Sequence, residues 1–177
     1  LPEKYHRWWK KGRQGIYLYN TLWQLGAYKK ARKLHKEIRF ELVHHVTLAS
    51  FRQPSFMGRL GIPFIFGPVG GGESAPWPLR KGYSMKGIIH DAIRDISNRL
   101  VKYDPLMCHT YNSATKIYVT STQTGKLLPK KHRKKTEVQL AIGSEKIIEP
   151  NRKKLTDGTF KILFAGRNVH FKGMHLG

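Results

Sequence analysis

Four places in the sequence bring together residues able to act on one polar ligand. His44 and His45 offer adjacent imidazoles for acid/base work or hydrogen bonding. The stretch GGGE at 70–73 offers backbone N–H groups unshielded by Cβ atoms, next to a carboxylate. Thr120 and Ser121 supply hydroxyls, and GRNVHFKG at 166–173 supplies Arg167 and Lys172, two cations suited to a phosphate. No pattern points to metal chemistry. The nine histidines form no HExxH, no CxxC accompanies them, and no paired zinc-ligand spacing occurs. The GxSxG elbow of serine hydrolases is absent as well.

Each group also has a plainer reading. Gly70, Gly71 and Gly72 either turn the chain after a buried strand or let a ligand or another backbone approach closely. His44 and His45 alternate across a strand, so at most one faces a cleft. His45 is favoured because it lies nearer the strand end. Glu73 by itself reads more simply as a partner of surface lysines. An Arg and a Lys in so basic a chain read first as solvated charges.

The elements that must position these residues follow from periodicity. Tyr19 to Glu37 has Leu22, Leu25, Ala31 and Leu34 at mostly helical spacing, with Lys29, Lys30, Arg32, Lys33 and Lys36 elsewhere, which predicts an amphipathic helix with a cationic face. RFELVHHVTLAS (39–50) reads as a strand. IPFIFG (62–67) reads as a second strand, apolar enough for a sheet buried on both faces. Ser84 to Thr115 carries Ile88, Ile89, Ile93, Ile96, Leu100, Leu106 and Met107 at helix-like intervals, broken at Asp104-Pro105. KIYVTS (116–121) and TEVQLAIG (136–143) are further strands, and Ser121 or Thr122 can cap the helix between them. From Gly143 the text GSEKIIEPNRKKLTDG loses periodicity and marks a linker, and FKILFAG (160–166) opens a fresh strand. Strands alternating with helices predict an α/β fold with a parallel sheet. In such sheets ligands bind beyond the carboxyl ends of the strands, where all four groups lie.

Composition bounds the function. The 177 residues are 40% hydrophobic and 25% charged, which suits a folded domain with a sizeable core. With 33 Lys+Arg against 11 Asp+Glu the net charge is +22, which predicts attraction to something anionic: nucleic acid, an acidic membrane or a phosphorylated molecule. PKKHRKK (129–135) has no interleaved aromatics to stack on bases and reads as a solvated loop, so no specific nucleic-acid partner is expected. The single Cys108 excludes an internal disulfide framework and fits a reducing compartment, cytoplasm by default. No apolar run approaches the roughly 20 residues needed to span a bilayer, so membrane contact is expected to be peripheral, on the inner face.

ELVHHVTLASFRQPSFMGRLGIPFIFGPVGGGESAP (41–76) resembles the N-terminal domain of family 4 retaining glycosyltransferases of the GT-B fold, particularly a bacterial subgroup acting in polysaccharide and cell-surface glycan assembly. KILFAGRNVHFKG (161–173) resembles the opening strand and loop of that family's donor-binding domain. The resemblance implies a Rossmann-like parallel sheet flanked by helices. Residues 1–150 would be the latter part of the N-terminal, acceptor-side domain, and 151–177 the linker and first strand of the C-terminal, nucleotide-sugar-binding domain. It implies metal-independent transfer of a sugar, with retention, from a nucleotide diphosphate sugar to a glycan or lipid-linked acceptor, with no cofactor.

By the same resemblance Arg167 and Lys172 hold the diphosphate, His45 lies near the transferred sugar, and Gly70, Gly71, Gly72 and Glu73 line the cleft. The family's first strand and its acidic donor motif are not among these residues, and the chain opens without Met. A fragment, inactive alone, is therefore expected. Two non-catalytic readings stand beside it: a basic nucleic-acid-binding module, and an α/β domain bound to an anionic membrane through the cationic helix 22–36.

Overall fold

The computed structural model describes residues 15–141. The fold is α/β, with a four-stranded parallel sheet flanked by helices, compatible with a Rossmann-like fold. Helix α1 (Ile16–Ile38) leads into β1 (Val43–His45), then β2 (Phe64–Val69), α2 (Met85–Leu100), α3 (Pro105–Ser113), β3 (Lys116–Val119), α4 (Thr122–Leu127) and β4 (Thr136–Val138). The strands lie side by side in sequence order, every neighbouring pair parallel. The expected boundary at 150, the strand at 160–166, Arg167 and Lys172 fall outside the described residues.

The order of elements matches the sequence reading, but the first and last strands are shorter. Of the stretch 39–50 only Val43–His45 pairs as a strand; the chain then turns, with Leu48 at φ 60°, and realigns at Ser50, which bridges Gly70. Of the described part of the stretch 136–143, Thr136–Val138 forms the strand, and Gln139 N–H adds one more bond to the Val119 carbonyl (2.8 Å). The break at Asp104 is as expected. Its carboxylate accepts from the N–H groups of Leu106 (2.8 Å) and Met107 (3.4 Å) to cap α3, Pro105 fills the first helical position, and Tyr17 donates to the same side chain at 2.7 Å.

The core is built on one face of the sheet. Phe64, Phe66, Val69, Ile117 and Val119 are buried there with Phe51, Met107, Tyr111 and Leu128. The Tyr111 hydroxyl donates to the carbonyl of Phe51 inside this cluster. The opposite face is only half-covered among the described residues: Ile65 and Tyr118 are partly exposed, His44 is exposed, and Lys116 pairs there with Glu137. The expectation of a sheet buried on both faces is thus corrected for these residues. β2 looks continuous in apolar character because Gly67 and Pro68 separate Phe66 from Val69. The pairing of β2 with β3 shifts register at that point, which puts both Phe66 and Val69 on the core side.

Helix α2 turns its apolar side outward. Its apolar residues Ile89, Ile93, Ile96 and Leu100 are all more than half exposed. Its polar face is the buried one. Asp91 is fully buried, Asn98 donates to the Gly71 carbonyl (3.2 Å), and Asp95 accepts from Arg80 (2.7 Å) and Ser74 (3.1 Å). Arg80 also donates to the Ala75 carbonyl (3.0 Å), and its guanidinium lies 4.9 Å from the Trp77 ring centroid. PKKHRKK is also not a wholly solvated loop. His132 is buried against Tyr111, and Lys135 donates to the carbonyls of Asn112 and Ala114, while Lys130, Lys131 and Lys134 remain exposed.

The Arg80–Asp95 pair generates a stability prediction, its side chains being only 6% and 23% exposed. Removing one partner strands a buried charge, so Asp95→Ala should lower unfolding free energy by about 3 kcal/mol in urea titration. Lys116→Ala, at an exposed pair, should leave stability nearly unchanged. Equal effects would show that Arg80 reaches water.

Candidate functional site

At the carboxyl end of β2 the chain meets the turn after β3, and the glycine triplet shapes that meeting. Gly70 continues the sheet line: its N–H donates to the Ala49 carbonyl (2.8 Å) and its carbonyl accepts from Phe51 (3.1 Å). A Cβ on Gly70 would lie 2.4 Å from Thr120 Oγ1, and one on Gly72 would lie 2.8 Å from the Thr124 Cα. Gly71 has φ +96°, exposed, with nothing within 4 Å of a built Cβ. Close approach therefore explains Gly70 and Gly72, and what approaches is the protein's own β3–α4 turn. Gly71 alone faces open space.

Glu73 fastens the two loops. Its Oε1 accepts from the hydroxyls of Ser121 (2.6 Å), Thr124 (2.9 Å) and Thr120 (3.3 Å), and its Oε2 from the Gly71 N–H (2.9 Å). The simple reading, pairing with surface lysines, is replaced by a cradle of hydroxyls. Ser121 has one hydroxyl proton, which goes to the carboxylate, leaving its oxygen to accept from the Thr124 N–H (3.2 Å) and cap α4. Thr124 Oγ1 in turn accepts from the Gly72 N–H (3.2 Å). Partial desolvation opposes ionisation of Glu73, but the Ser121 hydroxyl, with the Thr124 hydroxyl and Gly71 N–H, outweighs it and holds the carboxyl below its usual range. Glu73 is thus a fixed acceptor whose Oε1 is filled by protein hydroxyls, leaving Oε2, beside the Gly71 N–H, as the side a ligand hydroxyl can reach, and it is unsuited to delivering a proton.

The two histidines separate as strand alternation requires. His45 is the buried one, 7% exposed, its ring centroid 5.4 Å from that of Phe66. Burial pushes its imidazole below the ordinary value, and proximity to His44 acts in the same direction, so His45 is neutral near pH 7. His44 is exposed and its Nε2 lies 2.7 Å from the Gly67 carbonyl; a carbonyl only accepts, so Nε2 carries the proton. Beside Gly70 its bridge partner Ser50 lines a cavity of about 460 Å3, together with Tyr17, Arg52, Gln53, Ser97 and Asp104. Burial and the neighbouring charge of Arg94 push the Arg52 guanidinium down from its ordinary value.

The structure therefore brings Gly70, Gly71, Gly72, Glu73, Thr120 and Ser121 together and sets His45 into the core face of β1. Thr124 and Asn98 were missed by the sequence reading. Thr124 had a signal, since it stands three positions after the capping Ser121, where a cap's partner falls. Asn98 had none. Among the described residues no group of three or more His, Cys, Asp and Glu side chains could hold a metal. Comparison with family models, curated proteins and solved structures finds no match to this chain.

Two predictions follow from this geometry. Gly72→Ala forces a Cβ against backbone and should destabilise by about 1–3 kcal/mol, whereas Gly26→Ala, mid-helix with nothing within 4 Å, should stabilise by about 0.5–1 kcal/mol. Chemical denaturation of both variants checks the contrast, and a harmless Gly72→Ala would refute the packing role. The second concerns pH. His45 and His132 both have imidazoles lowered by burial, so the unfolded chain binds protons more readily. Stability should be full above about pH 6.5 and fall as pH drops below it. His45→Gln should flatten that decline between pH 7 and 5; an unchanged slope would place His45 in water.

Proposed function

We propose that this chain is the acceptor-side part of a retaining GT-B glycosyltransferase, together with the opening of its donor domain, transferring a sugar from a nucleotide diphosphate sugar to a glycan or lipid-linked acceptor in cell-surface polysaccharide assembly. The observation that carries the reading is the edge of the parallel sheet where an ionised Glu73 sits among hydroxyls beside the open backbone of Gly71. A polyol donates hydrogen bonds to such a carboxylate, and open backbone leaves room for a ring. Its place beyond the strand ends fits the general rule for α/β sheets. His45 lies on the neighbouring strand, buried against Phe66 on the core face rather than open to this edge.

The chemistry then divides between the halves. Arg167 and Lys172 stabilise the charge that builds on the leaving diphosphate, which preorganised cations do without reorganisation at the moment of reaction. Glu73 and the glycine loop hold the acceptor side, and holding both reactants together removes much of the entropic barrier. No metal or cofactor is required in this scheme. A second reading, a non-catalytic module on an anionic surface, is favoured by the exposure of Lys29, Lys30, Arg32, Lys33 and Lys36 on α1.

Transfer from nucleotide diphosphate sugars, assayed in the complete gene product, tests the proposal. Arg167→Ala and Lys172→Ala should each cost about 2–4 kcal/mol in kcat/KM with folding retained. The control is Lys130→Ala with Lys131→Ala, two exposed cations, which should change little. Equal impairment by the control would reduce the effect to general electrostatics, and an absence of transfer from any nucleotide sugar would leave the non-catalytic reading.

A further inference from the structure

We propose that the outward face of α2 docks on an anionic lipid surface, inserting its apolar side chains among the headgroups. Met85, Ile89, Ile93, Ile96 and Leu100 are 71%, 54%, 60%, 57% and 55% exposed. With Ala92, also exposed, they fall at about 100° per residue within an arc of roughly 100°, one continuous stripe along the helix. A stripe this long on a charged protein marks a surface that something covers.

Charge identifies the occupant. Lys86 and Arg99, both exposed, fall on opposite borders of the stripe by the same helical count. The two carboxylates of the helix are turned away from it: Asp91 is fully buried and Asp95 is held by Arg80 and Ser74. The outward face of α2 therefore presents only apolar and basic groups. Exposed aromatics flank α2 along the chain, Trp77 (74%) in the 3-10 turn before it, with the Arg80 guanidinium 4.9 Å from its ring centroid, and Tyr103 (70%) in the turn after it, with Lys102 Nζ 5.0 Å from its ring centroid. An apolar stripe, basic borders and flanking aromatic rings are the features of a helix lying in a membrane interface. A second copy of the chain would bring Lys86 and Arg99 against their own kind on a protein of net charge +22. An anionic bilayer meets both the stripe and its borders.

This docking face is separate from the cationic surface of α1 and does not rest on sugar transfer, so it is tested without nucleotide sugar. The complete gene product is sedimented with phosphatidylcholine vesicles, with and without phosphatidylglycerol, at low and moderate salt. Binding is expected to the mixed vesicles and to persist in part at moderate salt, because insertion of apolar side chains is not screened. Ile93→Asp with Ile96→Asp should lower partitioning at least about tenfold, with circular dichroism unchanged because both positions are exposed. Lys29→Ser with Lys33→Ser should weaken binding mainly at low salt.

A measurement on the intact surface keeps the proposal falsifiable should the double variant misfold. Brominated lipid should quench the emission component that is lost in Trp77→Phe. The proposal is overturned if the wild type does not sediment, if the Asp variant folds and binds as well as wild type, if the α1 variant alone abolishes binding, or if Trp77 is not quenched. Sedimentation equilibrium showing a dimer that the Asp variant dissolves would assign the face to a second copy and overturn it equally.

Discussion

The carboxylate of Glu73 joins the loop after β2 to the turn after β3, and the surrounding structure is arranged to permit that junction. Parallel strands end with their loops on one edge, where backbone N–H groups have no ladder partner. Glu73 takes one of them, from Gly71, and takes the hydroxyls of Ser121 and Thr124, which are then free to satisfy Thr124 N–H and Gly72 N–H with their oxygens. The glycines follow from this. A side chain at 70 or 72 would push the two loops apart, and the positive φ at 71 turns an N–H toward the carboxylate. The Gly71 carbonyl, pointing the other way, receives Asn98 and so anchors α2. One ionised group thus holds two loops, a helix cap and a helix face. Charge-assisted hydrogen bonds are worth about 1.5–3 kcal/mol when buried, and the exposure of Glu73 places these toward the lower end.

What could be read from the sequence, and what could not, divides along physical lines. Element order and type came from periodicity and from local chemistry: Asp104 before Pro105, and Ser121 before a helix, act within four residues of themselves. The gathering of 70–73 with 120–121 was legible from the rule that loops meet at the carboxyl edge of a parallel sheet. Strand ends were not legible, because β1 stops at His45 where the chain must turn to bring Ser50 beside Gly70. The partner of Glu73 was also hidden. A carboxylate among 33 basic residues suggests a lysine, and only the fold shows that four hydroxyl and amide donors arrive first.

Helix α2 shows where periodicity stops. Periodicity correctly grouped Ile89, Ile93, Ile96 and Leu100 on one face, but it says only which residues share a face and nothing about which way that face points. The deciding residues are Arg80, Ser74 and Gly71, remote in sequence, whose donors and carbonyl match Asp95 and Asn98 and pull the polar face inward. The same distinction applies to the basic run at 130–135, where charge density suggests solvent while His132 and Lys135 find a ring and two carbonyls.

The inverted helix also sets an energetic condition on the molecule. A buried polar network such as Arg80–Ser74–Asp95 contributes little net stability, since desolvation nearly cancels the attraction. Burying an Ile, Leu or Met side chain contributes roughly 1.5–3 kcal/mol relative to leaving it in water, so turning five such residues outward forgoes several times the net worth of the network that replaces them. A single folded domain has only about 5–15 kcal/mol of total stability. Burial of the outward face of α2 against an external surface that also accepts Lys86 and Arg99 would recover part of that cost. The polar interior of α2 and its apolar exterior are therefore two halves of one design, in which the helix is held to the domain by hydrogen bonds and reserves its hydrophobic side for what lies outside.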